Sequence, residues 1–219
     1  MSAFFALIGR DFRLVMRQGS AIGTALGFYL VAVSIIPLGL GPDLKLLSRI
    51  APGILWISFL LSAVLSVDAL FQEDRDDGSL DALFLGPLPP ELIAASKSLA
   101  HWVTTCVPLI VITPLAGLLL NLEPEALPKL VAALAVGTVG VSFVAGAGAA
   151  LTLGLRKGAL LLPLLILPLF TPFLIFGVGA MAASEGAFEQ TILLLGALSL
   201  FSMAAMPFAA AAALRLGLE

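Results

Sequence analysis

The chain is poor in charge. Only 11% of its 219 residues are Asp, Glu, Lys or Arg, whereas 60% belong to the apolar set AVILMFWYC. An ordinary soluble domain is about 45–50% apolar even when glycine is counted. The stretches that lie between the apolar runs are all shorter than about thirty residues, which is below the size of a folded domain. The composition therefore excludes a soluble globule and leaves no room for a separate soluble enzyme domain.

The places where charge is missing define the fold class. Six windows contain no formal charge, namely 18–42, 50–67, 98–122, 130–155, 158–184 and 190–214. Each is close to the roughly 20 apolar residues that a helix needs to cross a bilayer. Unbroken apolar runs exclude a transmembrane β-barrel, whose strands alternate apolar and polar residues. The sequence predicts an all-α membrane protein with spans at about 20–41, 50–70, 98–121, 130–154, 158–181 and 190–213, all within one domain over 1–219.

Chemistry-bearing residues are also scarce. The only cysteine is Cys106, inside the third window, so a disulfide framework and a CxxC motif are excluded. No GxxxxGK[ST] phosphate loop occurs, so we do not expect this chain to bind or hydrolyse ATP by itself. We predict no catalytic residues, no metal site and no nucleic-acid partner.

The uneven placement of positive charge predicts the orientation. With six spans, one side of the membrane carries eight cationic residues and the other side three. The eight are Arg10, Arg13, Arg17, Arg75, Lys97, Arg156, Lys157 and Arg215, and the three are Lys45, Arg49 and Lys129. Because loops rich in Lys and Arg stay in the cytoplasm, we expect both termini to be cytoplasmic.

The pattern of residues 2–17 predicts an amphipathic helix that lies on the membrane surface. At 100° per residue its apolar side chains fall in one arc, while Arg10, Arg13 and Arg17 fall together on another face. The arginines should face anionic headgroups or a partner. Asp11 lies inside the apolar arc. It either snorkels to water at a bend or makes a defined contact with an arginine or another subunit.

The most informative segment is the loop at 72–90. An acidic cluster of Glu73, Asp74, Asp76 and Asp77 leads through Gly78 into a short helix that contains Asp81. The apolar face of that helix is Leu80, Leu83 and Phe84. Gly86-Pro87 ends it, and Pro89-Pro90 begins the next helix. An exposed apolar face on a short, bracketed helix is typical of docking into a groove on another protein, although a solvated loop would also fit.

This loop resembles the coupling segment of ABC-2 type exporter permeases, and the chain as a whole resembles the heme exporter B (CcmB) family of the cytochrome c maturation system. The resemblance rests on segments in the family's order along nearly the whole chain, at 10–14, 37–42, 51–56, 100–102, 150–156, 167–170, 174–177 and 211–215. The segments are apolar and individually unspecific. Their order and coverage carry the match.

The resemblance implies the membrane subunit of an ATP-driven transporter in the bacterial inner membrane, with heme as cargo. It implies a separate ATPase subunit, a second permease copy, a heme-handling membrane partner and a periplasmic heme chaperone. It leaves open whether heme passes through this chain or whether the chain helps release loaded chaperone. The alternatives are a general ABC-2 exporter of a lipid, drug or polysaccharide, an ion-driven secondary transporter, and a scaffold. Paired ionisable residues in the spans, which would favour the secondary transporter, are missing.

Polar residues inside the spans are candidates for the pathway or an interface. His101 could ligate heme, but its interfacial place beside Trp102 near the start of the third span favours an anchoring or hydrogen-bonded role. Asp68 at the end of the second span is a candidate because intramembrane carboxylates are usually functional. Its nearness to the acidic loop favours an interfacial structural role.

The fourth span has a repeat of small residues and the fifth span has three prolines. Small residues recur every four positions in the fourth span, at Thr138, Ser142, Gly146, Ala150 and Gly154. They favour close packing within the bundle, or otherwise a homodimer seam. In the fifth span, prolines 163, 168 and 172 each remove a backbone donor. We therefore expect Pro163, Pro168 and Pro172 to make this the broken or bent span.

Overall fold

The computed structural model describes residues 2–41, 43–67, 69–153, 155, 158–182 and 187–218. These residues form ten α-helices, a π-helical turn at Trp102–Cys106 and a 3-10 turn at Pro124–Ala126. In chain order the helices are α1 Ser2–Gln18, α2 Ser20–Leu40, α3 Leu44–Val67, α4 Ala69–Asp76, α5 Ser79–Phe84, α6 Pro90–His101, α7 Val107–Leu119, α8 Leu127–Thr152, α9 Gly158–Ala182 and α10 Ala187–Leu218.

Among the residues that the structure describes, six helical stretches are long and apolar enough to cross a membrane. They are Ile22–Leu40, Leu44–Asp76, Pro90–Leu119, Pro124–Thr152, Leu160–Met181 and Phe188–Leu216. The prediction of an all-α membrane protein with six spans is confirmed. The separate helix α1 precedes them, and Gly19, whose φ of 65° is left-handed, separates α1 from α2.

The second and third spans begin earlier than predicted. Helix α3 begins at Leu44 and not near residue 50, and α6 begins at Pro90 and not at 98. The prediction stopped each span at its first charge. Lys45 and Arg49 are exposed at the start of α3. Helix α6 begins where Pro90 occupies its first turn, as the Pro89-Pro90 pair predicts, and it continues through Lys97.

The fifth span was expected to be broken or bent, and the break is wrong. Helix α9 is continuous from Gly158 to Ala182 although it contains all three prolines. Each proline removes only one donor from a helix of 25 residues, and the remaining backbone bonds keep the helix intact. The irregular span is instead the third, where the π-helical turn separates α6 from α7.

The core lies around α3 and α8. Their apolar windows are 69% and 72% buried, against 17% for α2 and 22% for α10. Small residues on α8 permit this close packing, because Thr138, Ser142, Gly146 and Ala150 are all buried inside the chain. Packing within the bundle is therefore confirmed for these four positions, and a homodimer seam there is wrong. Gly154 lies outside the described residues.

Candidate functional site

Four charged side chains meet where α1, α4 and α6 come together. Asp11 and Asp74 are buried, as is Lys97, although all three carry formal charge. Lys97 Nζ pairs with both carboxylates, and its distance to Asp11 Oδ2 is 3.2 Å. Arg10 donates to Asp74 Oδ1 at 2.8 Å and through Nε to Asp11 Oδ1 at 2.9 Å. We call these four residues the charge cluster.

The charge cluster shows which of the two expected environments Asp11 has. A buried carboxylate is stable only when it is paired, and Asp11 makes two ion pairs within the chain. The defined contact is therefore confirmed and snorkelling is wrong. Sequence reasoning missed Lys97 as its partner. The available signal was a single lysine on the apolar part of α6, which needs a carboxylate just as Asp11 needs a cation.

The three arginines of α1 do not share one environment. Arg10 points into the charge cluster, so its predicted place toward headgroups is wrong. Burial by itself lowers the pKa of Arg10, but the carboxylates of Asp11 and Asp74 outweigh that effect and the pKa is raised. Arg13 and Arg17 are exposed, as predicted. Arg13 also donates through Nε to the Gly9 carbonyl at 3.0 Å.

The coupling segment, 72–90, is more helical than the predicted loop. Glu73, Asp74 and Asp76 of its acidic run lie in helix α4, which ends at Asp76, and Asp77 follows that helix. Gly78, with a φ of 76°, makes the turn into α5. Ser79 joins the two helices, since its hydroxyl donates to Asp74 Oδ1 at 2.7 Å and its amide donates to Asp77 Oδ1 at 2.8 Å. Hydrogen bonding from Ser79 lowers the pKa of Asp77.

The apolar face of α5 points inward, so the prediction of an exposed Leu80, Leu83 and Phe84 face is wrong. Leu80 is 1% exposed, and Phe84 is partly buried against the core. Leu83 is half-buried. The helix turns this side to the bundle because burial of Leu80 there removes its apolar surface from water.

The exposed apolar residue is instead Leu85, directly after α5, at 90% exposure. Other residues of the segment 72–90 are also exposed, among them Glu73, Asp76, Asp77, Asp81 and Pro87. Asp74 is the member of the acidic run that is not available to a partner, because it belongs to the charge cluster.

His101 is buried inside the bundle and hydrogen-bonded, which is one of the two roles expected for it. Its exposure is 3%. Nε2 lies 2.9 Å from the Ser66 hydroxyl on α3, and Nδ1 lies 2.6 Å from the Ser142 hydroxyl on α8. Each ring nitrogen therefore has a serine hydroxyl within hydrogen-bond distance. Trp102 extends the same contact, since its Nε1 donates to Thr138 Oγ1 at 3.1 Å.

A small cavity borders both the charge cluster and His101. Its lining includes Asp11, Asp74, Lys97, Ser66 and His101. Its volume of about 70 Å³ is well below the roughly 300–1,000 Å³ of pockets that hold drug-sized ligands. The cavity accommodates water but not a porphyrin.

The remaining predicted candidates do not join this site. Pro163, Pro168 and Pro172 lie on α9, and none of them lines the cavity. Asp68 lies outside the described residues. At the same end of the bundle, Arg215 near the end of α10 donates to Glu91 Oε1 of α6 at 2.9 Å. The N-terminal helix, the coupling segment and the C-terminal helix therefore meet at one end.

The sequence is similar to known proteins over nearly its whole length. The model of the CcmB protein family matches residues 2–217. The chain belongs to this family. It is 51% identical to the heme exporter protein B of Paracoccus denitrificans over 216 residues, which cover 98% of this chain and 99% of that protein.

Two further relatives match as completely. Heme exporter protein B of Bradyrhizobium diazoefficiens is 46% identical over 222 residues and the match covers all of both chains. That of Rhodobacter capsulatus is 45% identical over 216 residues, or 98% of this chain and 99% of that protein. The similarity of this CcmB chain to these relatives therefore extends over nearly all of their length.

Proposed function

We propose that this CcmB chain is the permease subunit of an ATP-driven heme exporter in c-type cytochrome biogenesis. The name of its relatives and the extent of the similarity support the cargo and the transport role. The six membrane spans support a permease. The sequence has no phosphate loop, so ATP is bound and hydrolysed by a separate ATPase subunit.

The ATPase docks on the coupling segment. Leu85 is the observation that carries this proposal, because a leucine that is 90% exposed at the end of a short helix is unexplained in the isolated chain. Burying it would contribute about 1.5–3 kcal/mol. The exposed Asp76, Asp77 and Asp81 would contribute only about 0–1 kcal/mol per surface pair, and they would set the approach of a basic partner.

Movement of the coupling segment reaches the spans through defined contacts. Ser79 of α5 binds Asp74 of α4, and Asp74 is paired with Lys97 of the third span. A push on α5 is therefore delivered to the third span directly and to α1 through Arg10. This movement is coupled to heme transfer or to release of a heme-loaded chaperone.

The chain works in a complex at the bacterial inner membrane. We propose that its partners are the ATPase, a second permease copy, a heme-handling membrane protein and a periplasmic heme chaperone. The charge cluster and the Arg215–Glu91 pair lie at one end of the bundle. The excess of Lys and Arg at that end supports a cytoplasmic location for it and for both termini.

Replacement of Leu85 by glutamate tests the docking surface. We expect Leu85→Glu to abolish copurification of the ATPase and its stimulation, while the permease still accumulates in the membrane. Leu44→Glu is the matched control, because Leu44 is a 58% exposed leucine at the opposite end of the bundle.

Leu80→Ala separates docking from folding. We expect it to lower the amount of permease, since removal of a buried leucine side chain costs about 2–5 kcal/mol. An ATPase that stays bound and stimulated by the Leu85→Glu permease would contradict the assignment of this segment as the coupling surface.

A further inference from the structure

Helix α1 carries three different faces. Angles around the helix are counted from Phe4 at 100° per residue. Leu7 and Asp11, at about 300° and 340°, are buried in the protein. Phe5, Phe12 and Met16 lie close together at about 80–120°. They are nevertheless 63%, 40% and 57% exposed. The apolar arc predicted from the sequence is therefore divided between the bundle and the surroundings.

The third face is basic and unpaired. Arg13 and Arg17 lie at about 180° and 220°, beside the exposed apolar face. Both side chains are exposed, and no carboxylate of the described residues lies within ion-pair distance of either one. By contrast, the neighbouring Arg10 has two carboxylate partners. Two free cations next to a strip of Phe and Met form the pattern of a helix that lies in the interface of an anionic bilayer.

The buried face of α1 is connected to the coupling segment. Arg10 binds Asp74 of α4, and Asp11 binds Lys97 of α6, so α1 cannot shift without leaving a buried charge unpaired. The exposed residues of α1 and the two residues that make these ion pairs, Arg10 and Asp11, alternate along the same four turns of one rigid helix.

We propose that α1 is a binding site for anionic phospholipid headgroups, and that its occupancy sets the position of the coupling segment. Arg13 and Arg17 bind the phosphates, while Phe5, Phe12 and Met16 enter the acyl boundary. The charge cluster then fixes α4 and α6 relative to the membrane plane. The lipid-binding step stands on the geometry of α1 alone, and the effect on coupling rests on the proposed function.

The binding step is tested on the permease alone. An environment-sensitive fluorophore is attached at Met16→Cys in a Cys106→Ala background, and the protein is placed in nanodiscs of phosphatidylcholine with or without phosphatidylglycerol. We expect the probe to move to a more apolar environment with phosphatidylglycerol and to return in high salt. Since each arginine near an anionic surface contributes about a fivefold preference, Arg13→Gln/Arg17→Gln should abolish the response.

Lys45→Gln/Arg49→Gln is the matched control. These two cations are also exposed and four residues apart, at the opposite end of the bundle. We expect this variant to keep the full probe response. A wild-type probe signal that is the same in both lipids would overturn the proposal, and so would an equal loss of response in the control.

The coupling step is tested with the ATPase bound. We expect phosphatidylglycerol to raise the stimulation of ATP turnover by the wild-type permease several-fold, and Arg13→Gln/Arg17→Gln to remove that increase. Stimulation that is independent of lipid while the probe responds would overturn the link between α1 and coupling. Absence of stimulation in every lipid would contradict the proposed function, whereas the probe response would still support lipid binding.

Discussion

At the scale of single residues, Lys97 shows how a membrane protein keeps a charge inside. Its side chain is buried in a helix that begins a transmembrane span, and it is retained there by two carboxylates from two other helices. Arg10 supplies the second positive charge, so the charge cluster is electrically neutral. Neutrality as a set is what makes four charges stable in a place of low dielectric.

Removing one charge should therefore cost more than removing a pair. We expect Lys97→Met to lower the stability of the purified permease by about 3–5 kcal/mol, because two buried carboxylates then share only Arg10. The double variant Lys97→Met/Asp74→Leu leaves the Arg10–Asp11 pair intact and should recover most of that loss. Thermal unfolding in detergent measures both. Equal destabilisation by the single and double variants would show that the pairing does not govern stability.

The charge cluster also marks how far sequence reasoning reaches for single residues. The helical arc of α1 identified Asp11 as anomalous from its angle alone. It could not identify Lys97, because Asp11 and Lys97 lie on different helices. The periodicity of a helix shows which of its faces is apolar, but it does not show which other helix packs against that face. For the same reason the sequence could not show that Ser66 and Ser142, on two other helices, are the hydrogen-bond partners of His101.

At the scale of elements, the third span is the unusual one. It is continuous in hydropathy over Pro90–Leu119, yet a π-helical turn interrupts it at Trp102–Cys106. A π turn accommodates one extra residue without changing the rotation of the helices on either side. The turn therefore lets α6 direct Lys97 to its carboxylate partners and His101 to its serine partners. At the same time α7 places the Thr113 hydroxyl 3.0 Å from the Tyr29 hydroxyl.

Deleting one residue inside the turn should be tolerated. We expect deletion of Val103, which is exposed, to give a regular α-helix with α6 and α7 still in their present rotation. Deletion of Val111, which is 73% exposed on α7, should rotate the rest of that helix by about 100° and remove Thr113 from Tyr29. Membrane accumulation and thermal stability of the two deletions compare them. Similar losses for both would mean that the turn is not a one-residue insertion.

The contrast between the third and fifth spans explains the error about prolines. Proline is visible in a sequence and suggests a break, but the loss of one donor at a time leaves α9 continuous. The π turn has no such marker. Its residues, Trp-Val-Thr-Thr-Cys, are compatible with an ordinary helix. The extra residue is needed only because the helices that pack against α6 and those that pack against α7 fix the rotation of each about its axis.

At the scale of the whole molecule, the fold is the part that sequence predicts best. The bilayer admits helices and closed barrels, so uncharged runs of the right length count the spans directly. Their order in space is not predictable in this way. The central place of α3 and α8 follows from small residues and close contacts whose partners are distant in the chain.

Topology provides a test of the assembled bundle. We expect reporter fusions after residues 85 and 219 to read as cytoplasmic, and fusions after residues 45 and 125 to read as periplasmic. The charge bias of eight cations to three motivates the assignment. A cytoplasmic signal at 125 would be incompatible with six spans in this order.

The centre of the bundle provides another test. Trp56 of α3 is completely buried, and its ring lies against Gly177 of α9 and Gly137 of α8. A Cβ added at Gly137 would lie only 2.8 Å from the indole, and a methyl group at 177 has no room beside it either. We expect Gly177→Ala to destabilise the permease by about 1–3 kcal/mol. Gly179→Ala meets only an ordinary contact at 3.7 Å and should be close to neutral in thermal unfolding.

The position of Trp56 also constrains how the protein is made. Spans leave the ribosome in chain order, so the second span enters the membrane long before the fourth and fifth have been synthesised. Until Gly137 and Gly177 are present, the indole lacks the two glycine surfaces against which its ring lies, and its Nε1 finds no hydrogen-bond partner among the described residues even in the complete bundle. Assembly of the centre therefore waits for the fifth span. Nascent chains arrested before residue 177 should keep Trp56 open to quenchers in the bilayer, and longer chains should not.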